Sequence, residues 1–285
     1  MSKRKSNEIF STDHNIPDVQ QNLNQKIVAQ NEDFDWEIPY ESIPLPSEGA
    51  IYSSDSFFCG KSSIDIKAMT AKEEDILMSQ ALIKKGTVIE ELIKSCVMNR
   101  SANVDDLILG DRNALSIAIR ITGYGAEYNA EVLCPKCGHK NEKVFDLTEL
   151  EIKRLGATPV QPGVNLFEYT LPISKKVVTF KLLTGADERE KEQQDESYIK
   201  TLGPMSLGVI TSNLRYVIQS VNGITDKGKI YKFIDMMPAM DSKRLREYIT
   251  KIQPGIDMTA SLTCENCGST SPVSLPITSE LFWPS

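Results

Sequence analysis

Two cysteine pairs of identical spacing are the residues of this 285-residue chain best suited to bind a metal. Each pair has two intervening residues and a glycine directly after its second cysteine: Cys134, Cys137 and Gly138, then Cys264, Cys267 and Gly268. Two thiolates at this spacing can bend around one ion, and a glycine can adopt the positive φ that turns backbone N–H groups toward the sulfurs. Residues that favour β-strands flank both pairs, so each predicts a strand–knuckle–strand unit, which is half of a zinc ribbon.

One knuckle alone cannot complete the tetrahedral, four-ligand shell of a structural Zn²⁺. We therefore predict that the two knuckles meet and that one Zn²⁺ is held by four thiolates: Cys134, Cys137, Cys264 and Cys267. A filled shell leaves no position for water, so the predicted site is structural and not catalytic. A four-cysteine iron–sulfur cluster uses the same ligands, and the spacing does not separate the two. Independent redox pairs and disulfides are further alternatives, and His139 could replace one thiolate but is predicted to be a solvated loop residue.

The other polar motifs do not predict an enzyme. The stretch 223–229 has the glycine and lysine spacing of a phosphate-binding loop, but Ile230 stands where that loop needs a Ser or Thr hydroxyl for magnesium. The same stretch is predicted to be a hairpin insertion. The chain has two histidines, His14 and His139, which leaves a histidine-based triad or metalloprotease without its residues.

The composition is that of a folded protein without general affinity for nucleic acid. The chain is 40% hydrophobic and 25% charged, as in ordinary globular domains. Its net charge of −7 repels phosphate backbones. Since no run of apolar residues is long enough to cross a bilayer, we predict no membrane span. The basic first residues are followed by polar ones, which predicts no secretory signal.

An internal repeat indicates how the two knuckles are positioned. The stretch 66–70 resembles 180–184, 114 residues later, and each ends in a threonine that is predicted to begin a helix. Eight identities then recur 130 residues later: Asp111, Leu115, Ile119, Gly125, Ala130, Cys134, Cys137 and Gly138 match Asp241, Leu245, Ile249, Gly255, Ala260, Cys264, Cys267 and Gly268. The two offsets differ because of an expected insertion near 221–231. Asp111 and Asp241 are both predicted to be helix N-caps.

The predicted fold class is α+β, with two pseudo-repeated strand–helices–knuckle units joined by the shared four-cysteine, zinc-ribbon-like site. An extended N-terminal arm (1–42) precedes the first unit (43–150) and the second (151–285). A helix near 148–155 and a strand near 166–171 are expected to join the units. The arm is rich in Asn, Gln, Ser and Asp, so it is either a disordered tail or a segment that becomes ordered on a partner.

Shorter stretches of the sequence also lead to local predictions. Capping boxes are predicted at Thr70–Glu73 and at Thr87–Glu90, where a threonine and a glutamate satisfy each other's backbone donors. Cys96 falls on an apolar helix stripe and is expected to be a buried core thiol, and Cys59 is expected to pack beside aromatic residues. The Met-rich stretch 236–240 is either core filler or a protein interface.

Six motifs follow one another in a recognisable order: Leu45–Gly49, Met69–Leu77, Leu82–Val88, Leu109–Leu115, Arg120–Gly125 and Cys134–Gly138. Together they resemble the baseplate hub proteins of T-even-type contractile-tailed bacteriophages, over residues 43–150 and, beyond these, only through the second knuckle. The resemblance implies a non-enzymatic structural component or assembly factor of the tail baseplate. Such a protein is expected in the virion, and in the host cytoplasm during assembly, in multiple copies that contact other baseplate and tail proteins.

The alternative hypothesis is a zinc-ribbon nucleic-acid-binding or regulatory protein. It requires basic residues around both knuckles. Near the first knuckle lie Lys136, His139, Lys140 and Lys143, but near the second the charged residue is Glu265. This distribution gives the alternative little support.

Overall fold

The structure, a computed structural model, describes residues 38–203, 208–275 and 279–282. The predicted arm therefore lies almost entirely outside the described residues. Within these ranges the chain is mixed α+β, with eight helices and small antiparallel sheets of two or three strands, which confirms the predicted class. None of the described helices combines the length and apolar character that crossing a bilayer requires.

The first half pairs two strands, packs helices beside them and ends in a hairpin. Its elements are β1 (Tyr40–Pro44), β2 (Ser63–Lys67), α1 (Ala71–Leu77), α2 (Gln80–Lys85), α3 (Val88–Cys96), α4 (Leu109–Tyr124), β3 (Glu127–Leu133) and β4 (Lys140–Asp146). Strands β1 and β2 are antiparallel, and Val97, directly after α3, bridges to Ile66 of β2. Strands β3 and β4 form a separate two-stranded hairpin.

The second half contains more strands than the first and also ends in a hairpin. Its elements are β5 (Ile152–Lys153), β6 (Phe167–Thr170), β7 (Val177–Phe180), α5 (Gly185–Leu202), α6 (Val209–Val217), β8 (Ile218–Val221), α7 (Lys227–Asp235), α8 (Ala239–Ile252), β9 (Gly255–Ile256), β10 (Thr259–Thr263) and β11 (Thr270–Ser274). Strands β6, β7 and β8 form one antiparallel sheet, β10 pairs with β11, and β5 pairs with β9. Short 3₁₀ turns occupy Val104–Asp106, Leu147–Glu149 and Ser279–Phe282.

Several local predictions are confirmed and others are wrong. Strand β2, the Thr70–Glu73 capping box and strand β6 lie where they were expected. Thr87 begins α3 without a side-chain cap, because Glu90 instead pairs with Arg112 at 2.9 Å. The helix expected near 148–155 is a 3₁₀ turn followed by β5, which is held by its partner β9. The expected hairpin insertion is a strand-to-helix connection in which Asp226 caps α7.

Two buried aspartates tie helix starts to distant turns. Asp111 and Asp241 are each the third residue of a helix, so the N-cap prediction is wrong for both. Asp111 accepts hydrogen bonds from the Ser47 backbone N at 2.9 Å and the Tyr52 hydroxyl at 2.6 Å. Asp241 accepts from the backbone N of Ile173 at 2.7 Å. Each carboxylate thus binds a turn that follows a Leu-Pro pair. Burial raises the pKa of Asp111, whereas at Asp241 burial is outweighed by hydrogen bonds from the turn, which lower the pKa.

One apolar core and a set of polar contacts join the two halves. Leu115 of α4, Phe180 of β7 and Leu245 of α8 all belong to the same buried cluster. Arg112 of α4 pairs with Glu188 of α5 at 2.5 Å in addition to its contact with α3. These contacts across the halves indicate that the knuckles are brought together by the whole fold and not by the cysteines alone.

Glu73 should make stability fall in mild acid. Its buried carboxylate accepts hydrogen bonds from Lys67 at 2.6 Å, Ser95 at 2.6 Å and the Thr70 backbone N at 3.0 Å. Burial raises the pKa of Glu73, but these hydrogen bonds outweigh it and lower the pKa from 4.5 to about 2. A lowered folded-state pKa stabilises the fold fully above 4.5, and this contribution is lost as the pH falls toward 2.

The expected loss is on the order of 3 kcal/mol across that window. Urea unfolding at about pH 5 and about pH 3 measures roughly half of it, about 2 kcal/mol, because at pH 3 the folded-state carboxyl is still mostly ionised. Glu73→Gln should be less stable than the parent at pH 5 and should show a smaller difference between the two conditions. An unchanged pH dependence in this variant would contradict the assigned role of Glu73.

Candidate metal centre

Each knuckle sits at the closed end of a hairpin. The strand pairs end at Leu133 opposite Lys140 and at Thr263 opposite Thr270, as the flanking β-forming residues predicted. Both turns use the same backbone hydrogen bonds: Gly138 N to Cys134 O and Gly268 N to Cys264 O are each 2.9 Å long. The two glycines have φ of 70° and 64°, the left-handed region that a side chain rarely adopts. The predicted turn geometry is therefore present in both knuckles.

The fold brings all four predicted cysteines together. Their sulfurs lie within 4.8 Å of one another. Across the two knuckles, the sulfurs of Cys134 and Cys267 are 3.8 Å apart, and those of Cys137 and Cys264 are 3.7 Å apart. A tetrahedron with metal–sulfur bonds of about 2.3 Å has edges of about 3.8 Å. The cross-knuckle spacing therefore suits four ligands of one ion.

The charges of the cluster also favour a cation. Hydrogen bonding to its sulfur, chiefly by the backbone N–H of Cys267, lowers the pKa of Cys264 to about 6. The backbone N–H of His139 likewise lowers the pKa of Cys137. At Cys267 the Ser269 N–H lowers the pKa, but desolvation and the neighbouring thiols raise it to a net value of about 11. Some of the thiols thus ionise readily while others resist, and a bound cation would let all four become thiolates.

Asn141 links the two knuckles, and the sequence reasoning missed it. This buried side chain donates to the His139 carbonyl at 2.9 Å and accepts from the Glu265 backbone N at 3.0 Å. Lys143 forms an ion pair with the Glu265 carboxylate across the same interface. The signal was present as a polar residue at an inward-facing position of β4, where alternation predicts an apolar side chain.

Replacing Asn141 with alanine should weaken the junction between the knuckles. The His139 carbonyl and the Glu265 N–H would each lose a partner, at an expected cost of about 1–3 kcal/mol in stability. Loss of such a supporting contact should also lower metal affinity about 10–100-fold, measured by competition with a chelator. Asn129→Ala, on the exposed face of the same hairpin, is the matched control. Equal metal affinity in the two variants would show that Asn141 does not support the site.

The remaining singled-out residues lie outside the cysteine cluster. His139 is exposed, and its backbone contacts the first knuckle: its carbonyl accepts from Cys134 N at 2.9 Å, and its N–H donates to the Cys137 sulfur. Cys96 is fully buried, as predicted, and burial raises its pKa to about 12. Cys59 is exposed, which contradicts its expected packing. Met236 and Met240 are 77% and 47% exposed, so they are not core filler.

The comparisons with known proteins agree with this picture of a structural protein. A family model described as "T4 bacteriophage base plate protein" matches residues 50–283, which is most of the chain and includes both knuckles. Searches of the curated proteins and of the solved structures found no significant match. On the strength of the family match, the chain belongs to the family of T4 bacteriophage base plate proteins.

Proposed function

We propose that this chain is a non-enzymatic structural component, or an assembly factor, of the bacteriophage tail baseplate hub. The observation that carries the proposal is the family match over residues 50–283. It acts in the virion tail after assembling in the host cytoplasm, in several copies within a symmetric assembly, and it connects neighbouring tail proteins. A cluster of four thiols, to which the described part of the chain adds no further ligand group, supports a structural role over a catalytic one.

We further propose that the cluster holds one Zn²⁺ through Cys134, Cys137, Cys264 and Cys267. Cross-knuckle sulfur distances of 3.7 and 3.8 Å favour a single ion over an iron–sulfur cluster, whose several irons need thiolates further apart. Bound zinc would supply stability and no reaction step. Its role would be to fasten two hairpins that are distant in the sequence.

The chain is proposed to consist of two related units, residues 43–150 and 151–285. In support, each half runs from an antiparallel strand pair through helices to a knuckle hairpin. Val97 occupies the place in the first half that β8 takes in the second, and the aspartates Asp111 and Asp241 bind equivalent turns. The proposed connecting arm is residues 1–42, whose last three residues belong to β1.

The nucleic-acid hypothesis receives less support. Two of the lysines near the first knuckle are already paired with carboxylates, Lys140 with Glu131 at 2.8 Å and Lys143 with Glu265. Little unpaired positive charge remains there to contact phosphates.

Deleting residues 2–37 from the protein in infecting phage tests the connector role. The shortened chain should still fold and bind metal, because the buried apolar cluster from Ile43 to Phe282 and the four cysteines all belong to the remaining residues. It should be lost from purified tails, as measured by mass spectrometry of tail particles. Normal incorporation would refute the role of the arm, and tight DNA binding by the purified full chain would refute the connector proposal itself.

A further inference from the structure

A cleft in the second half has features of a docking site for a chain segment. It lies between α5, α6 and α8 and has a volume of about 460 Å³. Its apolar lining comes from Leu183, Leu214, Val217 and Ile249. The size lies within the range of ligand clefts and admits a few side chains, not a folded protein face.

One face of α6 extends the cleft. Ile210, Asn213, Leu214 and Val217 recur at spacings of three and four residues, so they lie along the same side of the helix. Ile210 is 46% exposed, although it is a large apolar residue. A hydrogen bond of 2.7 Å from Ser212 to Asp195 holds α6 against α5. Ile210 is therefore an exposed apolar side chain on the same side of α6 as the buried Leu214 and Val217.

The rim of the cleft carries two charges without a described partner. Glu188 pairs with Arg112, and Lys191 pairs with Asp195 at 2.5 Å. In contrast, Glu192 and Arg246 form no ion pair with any residue in the described ranges. An occupant that carries both a positive and a negative group would complement this rim.

We propose that residues 16–28 of this chain dock in the cleft. In this segment Ile16, Val19, Leu23 and Ile27 recur at spacings of three and four residues, which is the pattern of one helix face. The charged residues of the segment are Asp18 and Lys26, one of each sign, as the rim requires. An amphipathic segment laid in an apolar groove is a common mode of peptide recognition.

A linker of limited length joins the segment to the described residues. The residues between Val28 and Ile38 can span up to roughly 30 Å when extended. The inference rests on the proposed connector role of the arm, because a segment supplied by one copy to the cleft of another would link copies.

Photo-crosslinking in the full-length protein tests the inference. A photoreactive amino acid replaces Asn213, which is exposed on the cleft side of α6. Crosslinked peptides should come from residues 16–28, and a mixture of isotopically light and heavy protein shows whether they come from the same copy or another. The matched control places the same group at Glu142, exposed on β4, where no crosslink to this segment is expected.

Charge reversal makes the test specific. Arg246→Glu should reduce the crosslink yield by up to about fivefold, the size expected for one exposed ion pair. Asp18→Lys in the same protein should restore it. The docking site is overturned if the crosslinks fall elsewhere, or if the double variant does not recover while thermal unfolding shows both variants folded. If the crosslink is absent but deletion of the arm still removes the protein from tails, the connector role stands and this docking site falls.

Discussion

Replacing Cys264 with serine should remove the metal and destabilise the protein by several kcal/mol. Cys264 is buried and hydrogen-bonded within its knuckle, and its sulfur lies 3.7 Å from that of Cys137. With one thiolate lost, the shell has three ligands and its affinity for zinc falls steeply. Structural zinc contributes about 10–16 kcal/mol of binding free energy in small peptides, which is as large as the whole stability of a typical domain.

Four measurements detect this effect. Metal analysis should give one zinc per chain in the parent and much less in the variant, and the parent should lack the visible absorption of an iron–sulfur cluster. Thermal unfolding should occur at a lower temperature. Hydrogen exchange should become faster in both hairpins, 127–146 and 259–274, because the metal no longer links them.

Cys59→Ser is the matched control for this substitution. Cys59 is exposed and lies outside the cluster, so the same chemical change there should leave metal content and stability close to those of the parent. A Cys264→Ser protein that retained its metal, or that unfolded at the parent temperature, would contradict the four-thiolate site.

The knuckles could be predicted from the sequence because their geometry is local. Two cysteines, two intervening residues and a glycine define one turn, and the flanking strands follow from residue type. The contact between the two knuckles is not local in sequence. Its prediction depended on the 130-residue offset between them, which pairs Cys134 and Cys137 with Cys264 and Cys267. Sulfur distances of 3.7–3.8 Å agree with the meeting that the offset suggested.

Two of the predictions that failed concern side chains with distant partners. Asp111 has the residue type of an N-cap, but its carboxylate binds Ser47 and Tyr52, which no local rule reveals. Glu90 has the spacing of a capping box and instead pairs with Arg112. In each case the carboxylate binds a tertiary partner instead of the adjacent backbone, so the residue pattern does not give the role of the side chain.

The packing of α4 against β9 could not be predicted from the sequence either. Gly110, the second residue of α4, has no side chain, and this lets the helix touch the backbone of Pro254 and Gly255. A glycine inside a helix is ordinarily a cost in stability. At this position the close approach of two backbones explains why the residue is glycine.

Gly110→Ala should therefore be strongly destabilising. An added Cβ would lie 1.8 Å from the Pro254 carbonyl oxygen and 2.7 Å from its carbon. Both are backbone atoms next to β9, which pairs with β5, so neither can move without breaking other contacts. We expect a loss of about 4 kcal/mol or more, which corresponds to a fall of roughly 8–16 °C in Tm. Urea and thermal unfolding of the purified variant measure it.

Gly228→Ala gives the matched control, with the opposite sign. Gly228 lies in α7, and an added Cβ would have the Asp226 carboxylate oxygen as its nearest neighbour, at 3.4 Å. Because this is an ordinary contact, the gain in helix propensity should dominate and stabilise the protein by about 0.5–1 kcal/mol. If Gly110→Ala proved as stable as Gly228→Ala, α4 could not pack on β9 as closely as described. Asp111 and Arg112, which follow in the same helical turn, would then have to reach their partners from a different helix position.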